Sequence, residues 1–345
     1  MQEALGVALG LAFGVVFERY YLCMSSAITD VFLLRDTRKL KGLLTAVLVS
    51  AVLFNLLIGL GVAPPTRKPP WPTNLLAGVV FGIGMNLAGG CFSGTLFKMG
   101  QGHLGSFVAF LGAVLGLGTM AVLMAPLARE SGGGGAVPRT TLPELLGVNP
   151  VFFALAVVVA ALAVFWVRRR AAWRARANAA PLAAGPGPGG PSFIVGGALV
   201  ALLNTIHLAA QARPLGLGGL MAYSAAGAAF LANAPWALAN PVFDYLLHRR
   251  EMAVMGLCFV AGATLSALCG GRFRFRLPST RQAISSLVGG YLMGVSTAAM
   301  MGCNVTHILG GLPQLGVGSL LATLGIVIGA RLGASIVTRI VARDA

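Results

Sequence analysis

Residues 78–91 read GVVFGIGMNLAGGC, and residues 290–303 read GYLMGVSTAAMMGC. In both stretches an apolar segment with regularly placed glycines ends in Gly-Cys. Similarity at a fixed offset is the signature of an internal repeat. The matched pairs, each 212 residues apart, are Gly78/Gly290, Gly82/Gly294, Gly90/Gly302 and Cys91/Cys303.

The similarity continues after one inserted residue. QGHLGSFVAFLGAVLGLG at 101–118 and QLGVGSLLATLGIVIGAR at 314–331 share eight of eighteen positions. Each copy therefore consists of an apolar helix that ends in Gly-Cys, a short polar-tolerant segment and a second apolar helix. The sequence predicts two related halves, each containing a helix break.

Residues 282–330, which contain the second break, cannot form one straight membrane helix. Residues 282–330 contain no Asp, Glu, Lys or Arg, and as a single helix they would be about 73 Å long, more than twice the ~30 Å of bilayer hydrocarbon. Gly310, Gly311 and Pro313 indicate where the chain turns. Because the segment after Cys303 is apolar, a short helix that enters the membrane and returns is favoured over a water-exposed loop. Transporters built from repeats with broken helices bind substrate at such breaks.

Composition agrees with a membrane protein. Of 345 residues, 57% are hydrophobic and 10% are charged, whereas soluble proteins carry roughly 25% charge. Long charge-free runs indicate helices rather than the short alternating strands of a barrel. We predict an all-α integral membrane protein with about nine to ten transmembrane helices plus short re-entrant helices. The predicted spans are 4–22, 42–62, 74–90, 104–127, 150–167, 193–211, 216–232, 252–270, 284–301 and 315–338.

The charge balance indicates orientation in a membrane. The chain has 25 Lys and Arg against 9 Asp and Glu, a net charge of +16, and the cations are grouped between apolar runs. Cytoplasmic loops retain such residues, so the cluster at 168–176 is expected in the cytoplasm. The chain has no folded basic domain with interleaved aromatic residues, so we expect no nucleic-acid partner.

A Pro/Gly-rich segment divides the chain. Residues 171–191 contain the run AAGPGPGGP, which cannot form a packed helix. We interpret 1–170 as the first membrane half-repeat, 171–191 as a basic linker and 192–345 as the second half-repeat, together forming one membrane domain.

The five cysteines fall into two groups. None forms a Cys-x-x-Cys pair, so no zinc ribbon or complete disulfide framework is indicated. Cys258 and Cys269 lie inside an unbroken apolar run and are interpreted as small apolar residues. Cys91 and Cys303 follow a glycine at the matched breaks, and Cys23 has a comparable setting at the end of the first helix. Three thiols therefore lie at three predicted helix breaks.

Four stretches resemble the YeeE/YedE membrane proteins, which are permeases for sulfur compounds exemplified by thiosulfate uptake. They are LCMSSAITDVFLLRDTRKLKGLL at 22–44, GGCFSGTLFKMGQGHLGS at 89–106, GGRFRFRLP at 270–278 and GCNVTHILGGLPQLGVGSLLATLGIVIGARLG at 302–333.

The resemblance implies an all-helical fold whose two pseudo-symmetric halves bring short re-entrant helices to an hourglass constriction. It implies transfer of thiosulfate, or a closely related sulfur anion, by three path-lining cysteines that fall on Cys23, Cys91 and Cys303. It also implies a location in the bacterial inner membrane and a cytosolic sulfur-carrier protein as a partner. Some members are associated with selenium metabolism, so a selenium compound or another sulfur species is an alternative cargo.

Thiols suit this cargo chemically. A bare dianion in hydrocarbon is prohibitively costly, but a fixed Lys or Arg at the midplane would hold it too firmly for release and is itself costly. No Lys or Arg lies within six residues of Cys91 or Cys303. A neutral thiol is a weak donor, and helix N-termini that follow each Gly-Cys would add N–H groups. Ser93, Asn304 and Thr306 are candidate first-turn caps or cargo contacts.

Two polar residues have competing interpretations. His307 follows Cys303 by four residues and would share its helix face, which makes a copper or zinc transporter an alternative, although an intramembrane histidine more often caps a helix or bonds a carbonyl. Lys98, like Glu18 and Arg19, is interpreted as an interface anchor, or else as a charge that attracts anions to a vestibule.

A membrane thiol enzyme is a further alternative. It would need a low-pKa thiolate and a resolving partner, for which the sequence gives no Cys-x-x-Cys signal. We expect a transporter rather than an enzyme, with no cofactor and no resident metal.

Overall fold

The structure is a computed structural model in which the described residues form helices connected by turns, with two isolated β-bridges. The predicted all-α class is confirmed for this part of the chain. The predicted linker 171–191 lies outside it. The described residues are 2–66, 72–130, 140–156, 158–160, 163, 192–231, 247 and 250–342.

Short helices lie between long ones in both parts of the chain. The first part contains α1 (Gln2–Arg19), α2 (Met24–Leu33), α3 (Arg38–Gly59), α4 (Pro72–Leu87), α5 (Phe92–Gly100), α6 (Leu104–Glu130) and α7 (Leu142–Leu146). An apolar helix, Pro150–Ala160, follows. The second part contains α8 (Phe193–Gln211), α9 (Gly218–Leu231), α10 (Arg250–Cys269), α11 (Thr280–Ala299), a π-helix (Val305–Gly311) and α12 (Val317–Ala342).

The protein is a multi-pass membrane protein. Among the described residues, seven helical segments are long and apolar enough to cross a bilayer. The predicted span at 284–301 falls in α11, which is not one of the seven; its first turns carry Arg281, Gln282 and two serines. The seven segments are Ala4–Leu33, Arg38–Gly59, Pro72–Gly100, Leu104–Met124, Phe193–Gln211, Arg250–Cys269 and Val317–Arg339.

The repeated glycines mediate a helix packing that occurs twice. Gly82 in α4 lies against the carbonyl oxygen of Ile326 in α12, and Gly294 in α11 lies against that of Ala113 in α6. A side chain at either glycine would collide with the neighbouring backbone. The glycines are 212 residues apart and their partners 213, so each copy packs its first helix against the last helix of the other copy. Small residues allow such close approach between membrane helices.

The two copies run in opposite directions. Gly84 in α4 lies beside Leu292 in α11, whereas Leu87, further along α4, accepts a hydrogen bond of 2.9 Å from Ser285, which lies earlier in α11. The matched helices α4 and α11 are therefore antiparallel, which the sequence alone did not indicate. An inverted repeat places equivalent breaks on opposite sides of a central plane.

One end of the helix bundle joins loops that are distant in sequence. His103, before α6, forms a β-bridge with Arg276, before α11, and Arg272 forms an ion pair with Glu18 at the end of α1. Burial, together with Arg276 and Lys98, lowers the pKa of His103, so this imidazole is neutral at pH 7.

The start of α3 and the start of α8 belong to the same end. Gly42 in α3 packs on Phe193, and Gly196 in α8 packs on Tyr20, which follows α1. We call this end the basic face, after the cations that lie on it or beside it: Arg19, Arg35, Arg38, Lys39, Lys41, Lys98, Arg272, Arg274, Arg276 and Arg281.

The other end we call the opposite face. There Thr141 forms a β-bridge with Gly316, and Asn55 near the end of α3 donates to the Pro313 carbonyl. Arg213 in the loop before α9 and Arg250 at the start of α10 lie at this end, and Arg213 pairs with Glu251 at 3.4 Å.

Candidate functional site

The three predicted cysteines occupy the same position in three copies of one turn. Cys23 immediately precedes α2, Cys91 precedes α5, and Cys303 precedes Asn304 at the start of the π-helix. Two residues before each cysteine, the chain adopts a left-handed conformation, with φ of 48° at Tyr21, 71° at Gly89 and 53° at Met301.

The same hydrogen bond precedes each of these turns. The residue before each cysteine donates its N–H to a carbonyl five residues earlier, in the pairs Leu22→Phe17, Gly90→Met85 and Gly302→Thr297. This pattern is the Schellman end of a helix. Each long helix thus ends in this turn, and a cysteine follows at the start of a short helix.

Two of the thiols are in direct contact. Cys23 Sγ and Cys91 Sγ are 3.9 Å apart, and both side chains are buried. Gly94 in the first turn of α5 makes room for them, because a Cβ at this position would lie 2.6 Å from Cys23 Sγ. No local pattern indicates this contact between residues 68 positions apart.

Cys303 is connected to this pair through its neighbours. Asn304 Nδ2 donates to Met24 Sδ at 3.0 Å, so the residues that follow Cys303 and Cys23 touch. A Cβ at Gly218 would lie 3.9 Å from Cys303 Cβ and 3.7 Å from a ring carbon of Phe92, which follows Cys91. The structure thus brings the three predicted cysteines into one buried region.

The hydroxyls of Ser93 and Thr306 lie beside the thiols. Ser93 Oγ is 3.2 Å from Cys91 Sγ, and Thr306 Oγ1 is 3.5 Å from Cys303 Sγ. Neither α5 nor the π-helix has a side-chain cap hydrogen bond. Both hydroxyls are therefore placed to hydrogen-bond sulfur rather than to cap a helix.

Both ring nitrogens of His307 form hydrogen bonds within the protein. Its Nε2 is 3.0 Å from the Met300 carbonyl, which can only accept, so Nε2 carries the proton. Its Nδ1 then accepts from Ser319 Oγ at 3.0 Å. With both ring nitrogens engaged, His307 joins the π-helix to the end of α11 and the start of α12. Among the described residues, no group of three or more His, Cys, Asp or Glu is arranged to hold a metal ion.

Lys98 lines an open cavity of about 270 Å³ beside the basic face. Its Nζ donates to the Gly89 carbonyl at 2.6 Å, and Lys39 in the same cavity pairs with Asp30 at 2.7 Å. The cavity reaches inward to Cys23. Its lining is Tyr21, Cys23, Ser25, Ser26, Thr29, Asp30, Lys39, Met85, Asn86, Gly89, Phe97 and Lys98.

Glu18 has a different role from the expected interface anchor. Its side chain is fully buried and accepts two hydrogen bonds from Arg272, at 2.8 and 2.7 Å, one from Ser266 at 2.6 Å and one from Gln101 at 2.9 Å. The expectation was wrong because the residues around Glu18 do not indicate its polar partner, Arg272, which lies on a loop more than 250 residues away.

The two remaining cysteines lie elsewhere. Cys258 is half-buried in α10 and packs against Gly10 of α1, and Cys269 is exposed at the end of α10. Neither precedes a short helix.

Comparison with known proteins identifies the fold family. The family described as sulphur transport matches residues 21–332, a range that contains all three breaks with their cysteines. The chain belongs to the sulphur transport family. The resemblance to YeeE/YedE proteins is thereby confirmed.

Several relatives in this family are named transporters. The thiosulfate transporter TsuA of Spirochaeta thermophila is 30% identical over 349 residues, covering 94% of this chain and 96% of the relative. The thiosulfate transporter TsuA of Escherichia coli is 26% identical and covers 87% and 84%. The probable transporter YedE of Escherichia coli is 34% identical over 119 residues, which is 33% of this chain and 29% of the relative.

Proposed function

We propose that this protein takes up thiosulfate, or a closely related sulfur anion, through a narrow path along which Cys23, Cys91 and Cys303 act as a thiol relay. The observation that carries the proposal is the contact between the buried thiols of Cys23 and Cys91, 3.9 Å apart, at the starts of two short helices. Relatives similar over most of this chain are named thiosulfate transporters.

The chemistry of the site fits an anion that must be released. A cation fixed among the thiols would retain a dianion; Lys98 and Lys39, which share the open cavity with Cys23, are instead held by the Gly89 carbonyl and by Asp30. Thiols are weak donors, and the N–H groups of the first turns of α2 and α5 add partial positive charge without a full charge. Cargo would pass between several weak sites, as efficient permeation requires.

The proposed membrane architecture follows the inverted repeat. We place residues 1–170 and 192–345 as two half-repeats in one membrane domain, with α2, α5 and the π-helix as re-entrant helices that meet near the midplane. The seven long apolar segments, with α11 and the helix Pro150–Ala160, account for nine crossings, and α9 takes the place of α2 as a short helix of the second half. The location that we propose is the bacterial inner membrane.

Selenium compounds and other sulfur species are the alternative cargoes, because a soft thiol does not distinguish terminal sulfur from selenium. Competition of labelled thiosulfate uptake by sulfite, sulfide, sulfate and selenium analogues separates these cargoes. Copper or zinc transport has less support, since both ring nitrogens of His307 are engaged. A cytosolic sulfur carrier remains a proposed partner.

The relay is tested by two alanine variants. Cys91→Ala removes the thiol that touches Cys23, so uptake of radiolabelled thiosulfate by cells should fall to background. Cys258→Ala is the matched control, because this half-buried thiol lies in α10 away from the breaks, and its uptake should stay close to that of the native protein. Normal uptake by Cys91→Ala would refute the relay.

A further inference from the structure

The second copy of the repeat contains one residue more than the first, and this residue falls in a short helix. Cys91 and Cys303 are 212 residues apart, whereas Gln101 and Gln314 are 213 apart. The stretch between Cys303 and Gln314 forms the π-helix, and the matched stretch of the first copy forms the α-helix α5. A π-helix accommodates an insertion because each of its hydrogen bonds spans one residue more than in an α-helix. Such helices are rare and are frequent at functional sites.

Side chains from two long helices hold the end of the π-helix. Pro313 has no N–H, so the Leu309 carbonyl lacks the donor that an α-helix would provide four residues later. Asn204 in α8 donates to this carbonyl instead, at 2.9 Å. Asn55 in α3 donates to the Pro313 carbonyl at 2.8 Å. Both asparagines are buried, so these two contacts fix the π-helix from neighbouring helices.

The π-helix separates Cys303 from the opposite face. It follows Cys303, and the chain after it leads to Gly316, which forms the β-bridge of that face. The side chains of Cys303, Ile308 and Leu309 are buried. On the other side, the open cavity beside the basic face reaches Cys23. In this structure the thiol region is therefore accessible from the basic face and covered towards the opposite face.

The contacts that hold the π-helix join neutral groups. Asn204 also accepts from the N–H of Leu215 at 2.7 Å, so one amide connects the π-helix to the loop before α9. Water replaces neutral hydrogen bonds at little net cost, unlike the buried charge of Glu18 at the basic face. A conformation held in this way is expected to open transiently, and minor states of such equilibria are typically populated to about 0.1–10%.

We propose that the π-helix is the gate of the opposite face and that it opens when Asn204 and Asn55 release its carbonyls. The inference rests on the proposed function for its path and adds the element that opens one end. Helix α5 does not share this design, because Gly100, the residue that matches Pro313, has an N–H and lies within the helix. The inserted residue and the proline thus make one of the two matched helices the movable one.

The first test removes one of the two contacts. Asn204→Leu keeps the size of the side chain but leaves the Leu309 carbonyl without this donor in the closed state, whereas water can reach the carbonyl in the open state. Alkylation of Cys303 by N-ethylmaleimide in purified full-length protein should become about tenfold faster, as expected for the loss of one hydrogen bond. Mass spectrometry of the peptide that contains Cys303 measures the rate. Asn55→Leu should change it in the same direction.

Two controls separate gate opening from a general loss of stability. Cys91 is an equally buried thiol in the matched turn before α5, and its alkylation rate should not change. Thr205→Val lies beside Asn204 in α8 but removes a hydroxyl that donates to Ala201 of the same helix, so it should leave both rates as in the native protein. Equal increases at Cys91 and Cys303, or no increase at Cys303 in either asparagine variant, would refute the gate.

The second test asks whether this opening lies on the transport path. Proteoliposomes loaded with radiolabelled thiosulfate should lose it severalfold faster through Asn204→Leu than through the native protein, and Thr205→Val should match the native rate. Unchanged or slower efflux together with faster alkylation of Cys303 would show that the π-helix moves without gating the path, and the proposal would be wrong. Absence of efflux through the native protein would instead contradict the proposed function, while the alkylation rates, which involve no cargo, would still test the gate.

Discussion

At the scale of single residues, one glycine allows two of the three thiols to meet. Cys23, Cys91 and Cys303 could be selected because each follows the end of an apolar helix. The 3.9 Å contact between Cys23 and Cys91 depends on Gly94, whose absent side chain makes room for sulfur. Such a fit between distant residues arises from packing, which a local pattern does not contain.

This contact predicts an oxidation that inactivates the protein. Diamide should accept two electrons and two protons from Cys23 and Cys91 and leave a disulfide between them, because the two sulfurs are only 3.9 Å apart. Thiosulfate uptake should then fall to background and recover after treatment with dithiothreitol. Mass spectrometry of unreduced peptides measures the cross-link.

Cys23→Ser provides the control for the oxidation. It should not form the cross-link, and Cys303 in the same oxidised sample should remain a free thiol. Loss of uptake in diamide without a peptide that joins Cys23 and Cys91 would contradict the interpretation.

At the scale of helices, the repeat was predictable and its direction was not. Matched glycines such as Gly82 and Gly294 identified the helices that pack closely, because only small residues permit that approach. Residue identity contains no information on whether two copies run parallel or antiparallel. The antiparallel arrangement became visible only through contacts such as that between Ser285 and Leu87.

Glu18 connects the helices around the first break. Its carboxylate joins the end of α1 to Arg272 in the loop after α10 and to Gln101 between α5 and α6. Of these elements, α1 ends just before Cys23 and α5 begins just after Cys91. The ion pair therefore supports the turn geometry from outside the thiol region.

Glu18→Gln should destabilise the protein strongly. The change removes the charge that pairs with Arg272, whose side chain is only 22% exposed. Breaking a buried pair costs about 3–5 kcal/mol, and partial exposure of Arg272 reduces the expected loss of unfolding free energy to about 2 kcal/mol. Thermal unfolding in detergent measures the change as a lowered Tm.

The comparison for Glu18 is an ion pair on the surface. Asp36→Asn breaks the contact between Asp36 and Arg38, in which the Arg38 side chain is 68% exposed. Because solvent screens such a pair, the Tm should stay within experimental error of the native value. Equal Tm values for Glu18→Gln and the native protein would show that the buried pair does not support the fold.

At the scale of the whole molecule, charge separates the two ends of the helix bundle. The basic face carries Arg274 and Arg276 in an exposed loop, whereas Arg213 on the opposite face pairs with Glu251. The predicted cytoplasmic cluster at 168–176 precedes α8, which begins at the basic face. Positively charged loops remain in the cytoplasm, so the cavity that contains Lys98 and Cys23 should open inward.

Two exposed positions test this orientation with a membrane-impermeant maleimide, in a protein whose exposed Cys269 is replaced by serine. Phe275→Cys lies on the basic face and Leu145→Cys on the opposite face, where the native side chains are 76% and 57% exposed. In spheroplasts, Leu145→Cys should react and Phe275→Cys should not, whereas inside-out vesicles should give the reverse. A reversed result would place the Lys98 cavity outside the cell, where its cations would attract incoming anions, and cargo would then reach Cys23 before Cys303.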